Sequence, residues 1–244
     1  MNIAVYGSGS SGNAYCISDG STRIMLECGV ELKNLNRYSG YTLDRFDAVL
    51  TSHSHIDHSQ TLYEMHKRGI PIYCTAETCE VYGLSGEGIN IISENSPKFA
   101  VKSFIIKPFP LIHAHTKTME KCECLGFLIA STVTKEKLLF ATDTMYIPQQ
   151  FKGLNYIMLE TNYLEEYLND GTVSDFIDQR RLQTHMSVET AVKFLKKQDL
   201  STVKAVIGLH LSGNKTEQDK VLRALRRATG KRCYIAQAGL EVDC

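Results

Sequence analysis

Three histidines and one aspartate lie within six consecutive positions of the chain, at His53, His55, Asp57 and His58. They follow a short apolar run, residues 48–50, that is typical of a buried strand. Imidazole and carboxylate groups suit zinc, manganese or iron, and ligands crowded at a strand's end reach one point without distorting the sheet. In extended chain His53 and His55 face the same way, whereas a turn into a helix would present Asp57 and His58 together. The spacing therefore predicts two metal ions.

Further residues of ligand type stand where other apolar runs end. They are His113 or His115 after residues 101–112, Asp143 after the run 137–141, and His210 after the run 203–209. Each of these runs predicts a strand. A site at the edge of a sheet collects ligands from separate strands in this way, and the pattern therefore extends the predicted metal site beyond the first motif.

The arrangement His-x-His-x-Asp-His resembles the signature of the metallo-β-lactamase superfamily. This resemblance implies an α/β fold, a four-layer αββα sandwich with a metal site along one edge. It also implies two divalent metal ions, zinc in the first place, with manganese or iron as alternatives. The implied ligands are His53, His55 and His113 for the first ion, Asp57, His58 and His210 for the second, and Asp143 bridging both.

Composition indicates a single domain over residues 1–244. The hydrophobic fraction of 43% is enough for a large core, and the five prolines and scattered glycines form no linker. No apolar stretch approaches the ~20 residues of a membrane helix, and we expect a cytoplasmic protein that is not exported. The eight cysteines show no Cys-x-x-Cys pair, which predicts reduced thiols.

A second motif carries the catalytic prediction. Residues 184–187, Thr-His-Met-Ser, precede a predicted helix and the strand ending at His210, and this segment resembles the tRNA 3′-processing enzyme RNase Z. In those enzymes the histidine pairs with a glutamate at the end of an earlier strand, where Glu160 stands here. The resemblance implies that His185 protonates the departing alkoxide after a metal-bridging hydroxide attacks phosphorus. We therefore expect His185, Glu160 and Asp57 to be catalytic.

The opening loop narrows the choice of substrate. Residues 7–13, Gly-Ser-Gly-Ser-Ser-Gly-Asn, fit a plain hairpin turn, but they also resemble the opening of YycJ/WalJ-like nucleases and of phage cyclic-nucleotide phosphodiesterases that counter Pycsar immunity. The resemblance to the phosphodiesterases implies hydrolysis of cCMP, cUMP and related 3′,5′-cyclic nucleotides to 5′-monophosphates, by a homodimer. Residues 114–123 predict a lid or a dimer contact.

Net charge favours the small substrate. The chain has 27 basic and 27 acidic residues, whereas proteins that hold long nucleic acids usually carry a basic excess. Two alternatives remain open. One is a WalJ-like DNA exonuclease with nucleic acid as its partner, and the other is a metal-binding protein without catalytic activity.

Overall fold

The computed structural model describes residues 1–114, 118–168, 182–213 and 217–243. The alternative ligand His115 lies outside this part of the chain, as does the centre of the predicted lid. The sequence also predicts a helical stretch that ends at Arg181, and most of this stretch lies outside the described residues. The chain divides into two compact units. The first unit comprises Met1–Pro110, Glu123–Glu136 and Ala236–Cys244, and the second comprises Leu111–Cys122 and Lys137–Ile235. The predicted single domain over residues 1–244 stays a prediction.

Fourteen strands are present in the described residues. They are β1 (Asn2–Gly7), β2 (Ala14–Ser18), β3 (Arg23–Leu26), β4 (Ala48–Leu50), β5 (Ile72–Cys74), β6 (Ile89–Ile91), β7 (Phe99–Val101), β8 (Phe104–Pro110), β9 (Leu125–Ser131), β10 (Lys137–Ala141), β11 (Tyr156–Glu160), β12 (Ala205–Leu209), β13 (Arg232–Ile235) and β14 (Glu241–Val242). Strands β4, β10 and β12 match the predicted apolar runs 48–50, 137–141 and 203–209 to within two residues.

Seven strands of the first unit form one sheet in the order β14-β1-β2-β3-β4-β5-β6. Strands β1, β2 and β3 are antiparallel neighbours, whereas β3, β4, β5 and β6 run parallel. The run predicted over residues 101–112 is a hairpin, because β7 and β8 pair with Phe99 opposite Ile106. Strand β9 pairs antiparallel with β8. This unit therefore contains both hairpins and parallel strands.

The second unit contains four parallel strands in the order β13-β12-β11-β10. Every residue of β11 and β12 is buried, as expected for parallel strands that are covered on both faces. Leu159 of β11 lies opposite Ala141 of β10 and Gly208 of β12. The carboxyl ends of these strands therefore meet at one edge, where Asp143, Glu160 and His210 follow or end them.

Six helices lie wholly within the described residues. They are α1 (Leu32–Tyr38), α2 (Ile56–Ser59), α3 (Leu62–Lys67), α4 (Ala76–Val81), α5 (Val188–Lys196) and α6 (Gln218–Thr229), with short 3-10 turns at Leu43–Arg45 and Glu165–Tyr167. No helix in this part of the chain combines the length and the apolar character that crossing a membrane requires. Both units are of the α/β type, as predicted.

Two helices begin at a serine or threonine whose side chain caps the helix, and a third helix does not begin where a cap was predicted. The side chains of Thr75 and Ser187 cap α4 and α5 by accepting backbone N–H groups of the first turn. The apolar pattern that follows Ser59 in the sequence predicts a helix capped by Ser59, and this prediction is wrong. Ser59 ends α2 instead, and its hydroxyl donates to the carbonyl of His53 at 2.8 Å. The residue before α3 is Thr61.

Candidate functional site

The four donors predicted after β4 lie together in the first unit, and we call them the His53 cluster. His53 and His58 are fully buried. The ring centroid of His53 lies 4.5 Å from that of His55 and 4.3 Å from that of His58. The Asp57 carboxylate approaches the same group, with Oδ2 3.5 Å from Nε2 of His58. Three imidazoles and a carboxylate at these distances form a donor set suited to a divalent metal.

Two polar residues orient the histidine rings of this cluster. Nδ1 of His53 lies 2.8 Å from the Ser52 hydroxyl, and Nδ1 of His58 lies 3.4 Å from the buried carboxylate of Glu27. Glu27 also accepts the backbone N–H of Ser52, at 3.2 and 3.3 Å. Partners on Nδ1 fix the ring and present Nε2 as the ligating atom, which is the usual support for a metal-binding histidine.

The glycine-rich loop between β1 and β2 is fastened to the His53 cluster by the buried side chain of Asn13. Its Oδ1 accepts the backbone N–H of Gly9 at 2.8 Å. Its Nδ2 donates to the carbonyl of Asp57 at 3.1 Å and lies 3.2 Å from Nε2 of His58. The Asn13 backbone N–H adds a bond of 2.8 Å to the same carbonyl. The loop is a hairpin turn, but it also forms a wall beside the predicted ligands.

The second unit holds four donors at the carboxyl ends of its parallel strands, and we call Asp143, Glu160, His185 and His210 the Asp143 cluster. One ligand atom from each lies within 4.8 Å of the others. Nδ1 of His210 is 3.0 Å from Oδ1 of Asp143 and 3.3 Å from Oε1 of Glu160. Asp143 and His210 are both buried, so the charge of this cluster is held largely out of water.

The predicted acid and its partner are in direct contact. Nδ1 of His185 lies 2.7 Å from Oε1 of Glu160. The other oxygen of Glu160 accepts the backbone N–H groups of Thr144, at 2.8 Å, and Met186, at 3.2 Å. Burial acts to raise the pKa of Glu160, but the His185 ring and hydrogen bonds from His185 and His210 hold that pKa below its ordinary value. An ionised Glu160 therefore places a proton on Nδ1 of His185.

His113 lies beside the Asp143 cluster. Its Nδ1 is 2.9 Å from the carbonyl oxygen of Thr184, and its Nε2 is 3.8 Å from Oδ2 of Asp143. A carbonyl can only accept, so Nδ1 carries the proton and Nε2 carries the lone pair. Thr184 therefore supports His113 through its backbone carbonyl and not through its side chain.

Three residues at strand ends share an unusual backbone conformation. Glu27 after β3, Asp143 after β10 and His210 after β12 have φ angles of 62°, 48° and 53°. Such left-handed conformations are uncommon outside glycine and are found at functional sites, where surrounding contacts hold them. Two of these strained residues, Asp143 and His210, are predicted metal ligands. The third, Glu27, orients the predicted ligand His58.

Sequence reasoning missed the supporting residues. Glu27 gave one weak signal, because a charged residue directly after a buried strand is unusual. Asn13 was noticed only as part of a turn. Asn162, whose Nδ2 donates to the His210 carbonyl at 2.8 Å, gave no signal. These residues act through contacts between segments distant in the chain, which spacing alone does not reveal.

Within each unit, the donor set fits the metals predicted from the sequence. Imidazole and carboxylate groups predominate, and His53, His58 and His113 each have a polar partner near Nδ1. This chemistry suits divalent zinc, manganese and iron alike. The Sγ atom of Cys124 lies 3.8 Å from Nδ1 of His53. It is therefore near the ring nitrogen that the Ser52 hydroxyl contacts.

Comparison with known proteins points to one family. A family model described as the β-lactamase superfamily domain matches residues 22–211. The transcription termination factor FttA of Methanothermobacter thermautotrophicus is 38% identical over 74 residues. That stretch covers 26% of this chain and only 12% of the FttA protein.

Two solved structures are similar over the whole chain. The metallo-β-lactamase fold protein YhfI from Bacillus subtilis has a TM-score of 0.74 at 17% identity, covering 99% of this chain and 98% of YhfI. A diphosphatase from the PhnP family has a TM-score of 0.72 at 16% identity, covering 100% of this chain and 97% of that protein. These likenesses confirm the predicted metallo-β-lactamase fold.

Proposed function

The chain belongs to the β-lactamase superfamily, and we propose that it is a metal-dependent phosphodiesterase that hydrolyses 3′,5′-cyclic nucleotides to nucleoside 5′-monophosphates. The observation that carries this proposal is the 2.7 Å contact between His185 and Glu160. An alkoxide is a poor leaving group, and its departure from phosphorus calls for a positioned acid. A histidine held by a buried carboxylate supplies such an acid.

The predicted metal ligands divide between the two units, with His53, His55, Asp57 and His58 in the first and His113, Asp143 and His210 in the second. By the family resemblance, these residues would hold two divalent ions. Such ions lower the pKa of water and neutralise charge on a phosphoryl group. They leave one task to the protein itself, which is to deliver a proton to the departing oxygen.

His185 performs that task in the proposed reaction. Water adds to phosphorus and releases one proton to solvent, the bond between phosphorus and the 3′ oxygen breaks, and the electron pair of that bond stays on the 3′ oxygen. His185 donates its Nε2 proton to this oxygen, and the product is the 5′-monophosphate. Glu160 keeps the Nδ1 proton in place and stabilises the imidazolium before transfer. The side chain of His185 is 16% exposed, so its proton can be replaced from solvent.

A cyclic nucleotide also agrees with the charge of the chain. Equal numbers of basic and acidic residues, 27 of each, provide little general attraction for a long polyanion. We extend the proposal to a role in phage evasion of cyclic-nucleotide immunity and to action as a homodimer in the cytoplasm. These parts rest on the resemblance of the opening loop and on overall size.

A DNA exonuclease is the second candidate, and one observation favours it. A groove of about 390 Å³ between α5 and α6 is rimmed by Lys193, Lys196 and Arg227, with Glu189 as its one acidic lining residue. A basic rim of this kind can follow a phosphate backbone.

One assay separates these candidates. The purified protein with Zn²⁺ or Mn²⁺ is given cCMP, cUMP, cAMP and cGMP in parallel with linear duplex DNA. We expect 5′-monophosphates from the cyclic nucleotides and intact DNA. If the DNA is digested and the cyclic nucleotides are unchanged, the protein is an exonuclease and the phosphodiesterase proposal is wrong. A protein that binds metal and hydrolyses neither substrate would be the non-catalytic binding protein.

The same assay is repeated with His185→Ala and with His66→Ala as a matched control. His66 lies on α3 and contacts the Ser85 carbonyl at the surface. We expect His185→Ala to lower kcat by about 10² to 10⁴ at unchanged metal content, and His66→Ala to match the wild type. Full activity in His185→Ala would show that His185 is not the acid.

A further inference from the structure

A cavity of about 410 Å³ opens in the first unit beside the predicted ligand Asp57. Its walls include Ser10 from the glycine-rich loop, Glu31 and Asn34 at the start of α1, and Ile56 and Gln60 from the segment around α2. None of these five residues has a part in the proposed proton transfer. The cavity is large enough for a nucleobase together with part of its sugar.

Close backbone contacts hold the walls of this cavity in place. A Cβ atom added to Gly29 would lie 1.7 Å from the carbonyl oxygen of Asp57, and one added to Gly12 would lie 2.4 Å from that of Gly29. The Gly29 N–H donates to the carbonyl of Asn13 at 2.9 Å. The loop, the start of α1 and the Asp57 segment are thus packed main chain against main chain. Such a cavity has its shape before a ligand arrives.

The lining chemistry resembles that of a site for a planar, polar ring. Ile56 is 70% exposed, an unusual position for a large aliphatic side chain, and it offers an apolar surface to a ring face. Asn34 brings an amide, and Ser10 brings a hydroxyl. The Gln60 amide nitrogen donates to the Gly29 carbonyl, and Gln60 also lines the cavity. Glu31 adds a carboxylate that can only accept when ionised.

We propose that this cavity binds the nucleobase of the substrate and that Glu31 favours bases with an exocyclic amino group. The inference rests on the proposed function, in which Asp57 lies at the phosphoryl end of the substrate. A carboxylate accepts a hydrogen bond from the N4 amino group of cytosine. Uracil has a carbonyl oxygen at that position, and two acceptors repel each other. Cytosine and adenine are therefore preferred over uracil.

A bulky substitution tests whether the cavity is used. Asn34→Trp places an indole in the cavity, whereas Lys33→Trp places the same group on the neighbouring exposed position of α1. We expect Asn34→Trp to raise KM for cCMP by about tenfold or more. Lys33→Trp should match the wild type. Equal KM values for cCMP in all three proteins would overturn the inference.

The selectivity is tested by Glu31→Gln. We expect the wild type to have a kcat/KM for cCMP that exceeds its value for cUMP on the order of tenfold. The amide of the variant both donates and accepts, so this ratio should fall toward one. A ratio near one in the wild type, or an unchanged ratio in the variant, would overturn the role of Glu31. Failure of the proposed function is distinct, because the wild type would then hydrolyse neither cyclic nucleotide.

Discussion

Glu160 contacts His185 through one carboxylate oxygen, at 2.7 Å, while its second oxygen accepts two backbone N–H groups. The backbone bonds fix the carboxylate, and the carboxylate in turn fixes the imidazole. His185 therefore has one orientation and one protonated Nδ1 atom before substrate binds. Preorganisation of this kind allows a side chain to transfer a proton without first reorienting.

Glu160→Gln should lower kcat for a cyclic nucleotide by at least about a hundredfold. The amide keeps the shape of the side chain, but it no longer stabilises a positive charge on His185. Turnover and metal content are measured on the same samples. Glu64→Gln, an exposed substitution on α3, is the matched control and should have wild-type turnover.

The leaving group distinguishes an acid from a merely structural residue. A p-nitrophenolate departs without help from a proton donor, so Glu160→Gln and His185→Ala should retain most activity toward bis(p-nitrophenyl) phosphate. A parallel loss of activity toward this ester and toward cCMP would show that the pair supports the site in general and does not donate the proton.

Glu27→Gln should weaken metal binding by about 10- to 100-fold, because its carboxylate lies 3.4 Å from Nδ1 of His58 and orients that ring. The measurement is competition with a chromophoric chelator. Glu77→Gln is a comparable change in the same unit, at a carboxylate that accepts the hydroxyl of Ser54 and the backbone N–H of Glu123. Equal affinities in the two variants would deny Glu27 a specific role.

Asn13→Ala should lower the free energy of unfolding by about 2 to 4 kcal/mol, because its buried side chain bonds to Gly9 and to the Asp57 carbonyl. Urea unfolding of the metal-free protein measures this change. Asn36→Ala serves as the control, since the Asn36 amide makes one bond of 3.0 Å to the Leu32 carbonyl. A loss below about 1 kcal/mol in Asn13→Ala would show that the loop is held in other ways.

Asp19 gives the first unit a pH-dependent contact. Its carboxylate accepts the hydroxyls of Ser103 and Ser131, at 2.7 and 2.6 Å. Burial acts to raise the pKa of Asp19, but bonds from these hydroxyls and from the backbone N–H groups of Thr22 and Ser21 hold that pKa below its ordinary value. The contact therefore stabilises the fold above the unfolded pKa of about 3.9, and this stabilisation is lost as pH falls through the folded pKa.

Asp19→Asn should accordingly cost about 1 to 2 kcal/mol of unfolding free energy at about pH 6 and less at about pH 3. Urea unfolding of the metal-free proteins at both pH values provides the comparison. Asp44→Asn, at an exposed carboxylate, should behave like the wild type at each pH. A cost for Asp19→Asn that does not change with pH would mean that the carboxylate charge is not responsible.

Much of the fold follows from short apolar runs. Strands β4, β10 and β12 were each predicted within two or three residues, because a buried parallel strand needs a continuous apolar segment. The ligand types after them were visible for the same reason, since a polar residue interrupts each run. Local signals of this kind need no knowledge of distant contacts.

Other features depend on packing between distant segments. Strand β14 was not predicted, because its two residues form a strand only by pairing with Ile3 and Ala4. The cap assigned to Ser59 was wrong because its hydroxyl bonds to the His53 carbonyl. Glu27 and Asn13 were missed as supports for the same reason: their partners are 31 and 45 residues away, at His58.

The left-handed backbone at Glu27, Asp143 and His210 bears on how this protein would evolve in the laboratory. Glycine adopts that conformation without the penalty that a side chain incurs. Selection for thermal stability alone, with no demand for activity, should therefore accumulate glycine or asparagine at these three positions. Selection for activity should keep them as they are. At each of these three positions, thermal stability and catalytic activity favour different residues.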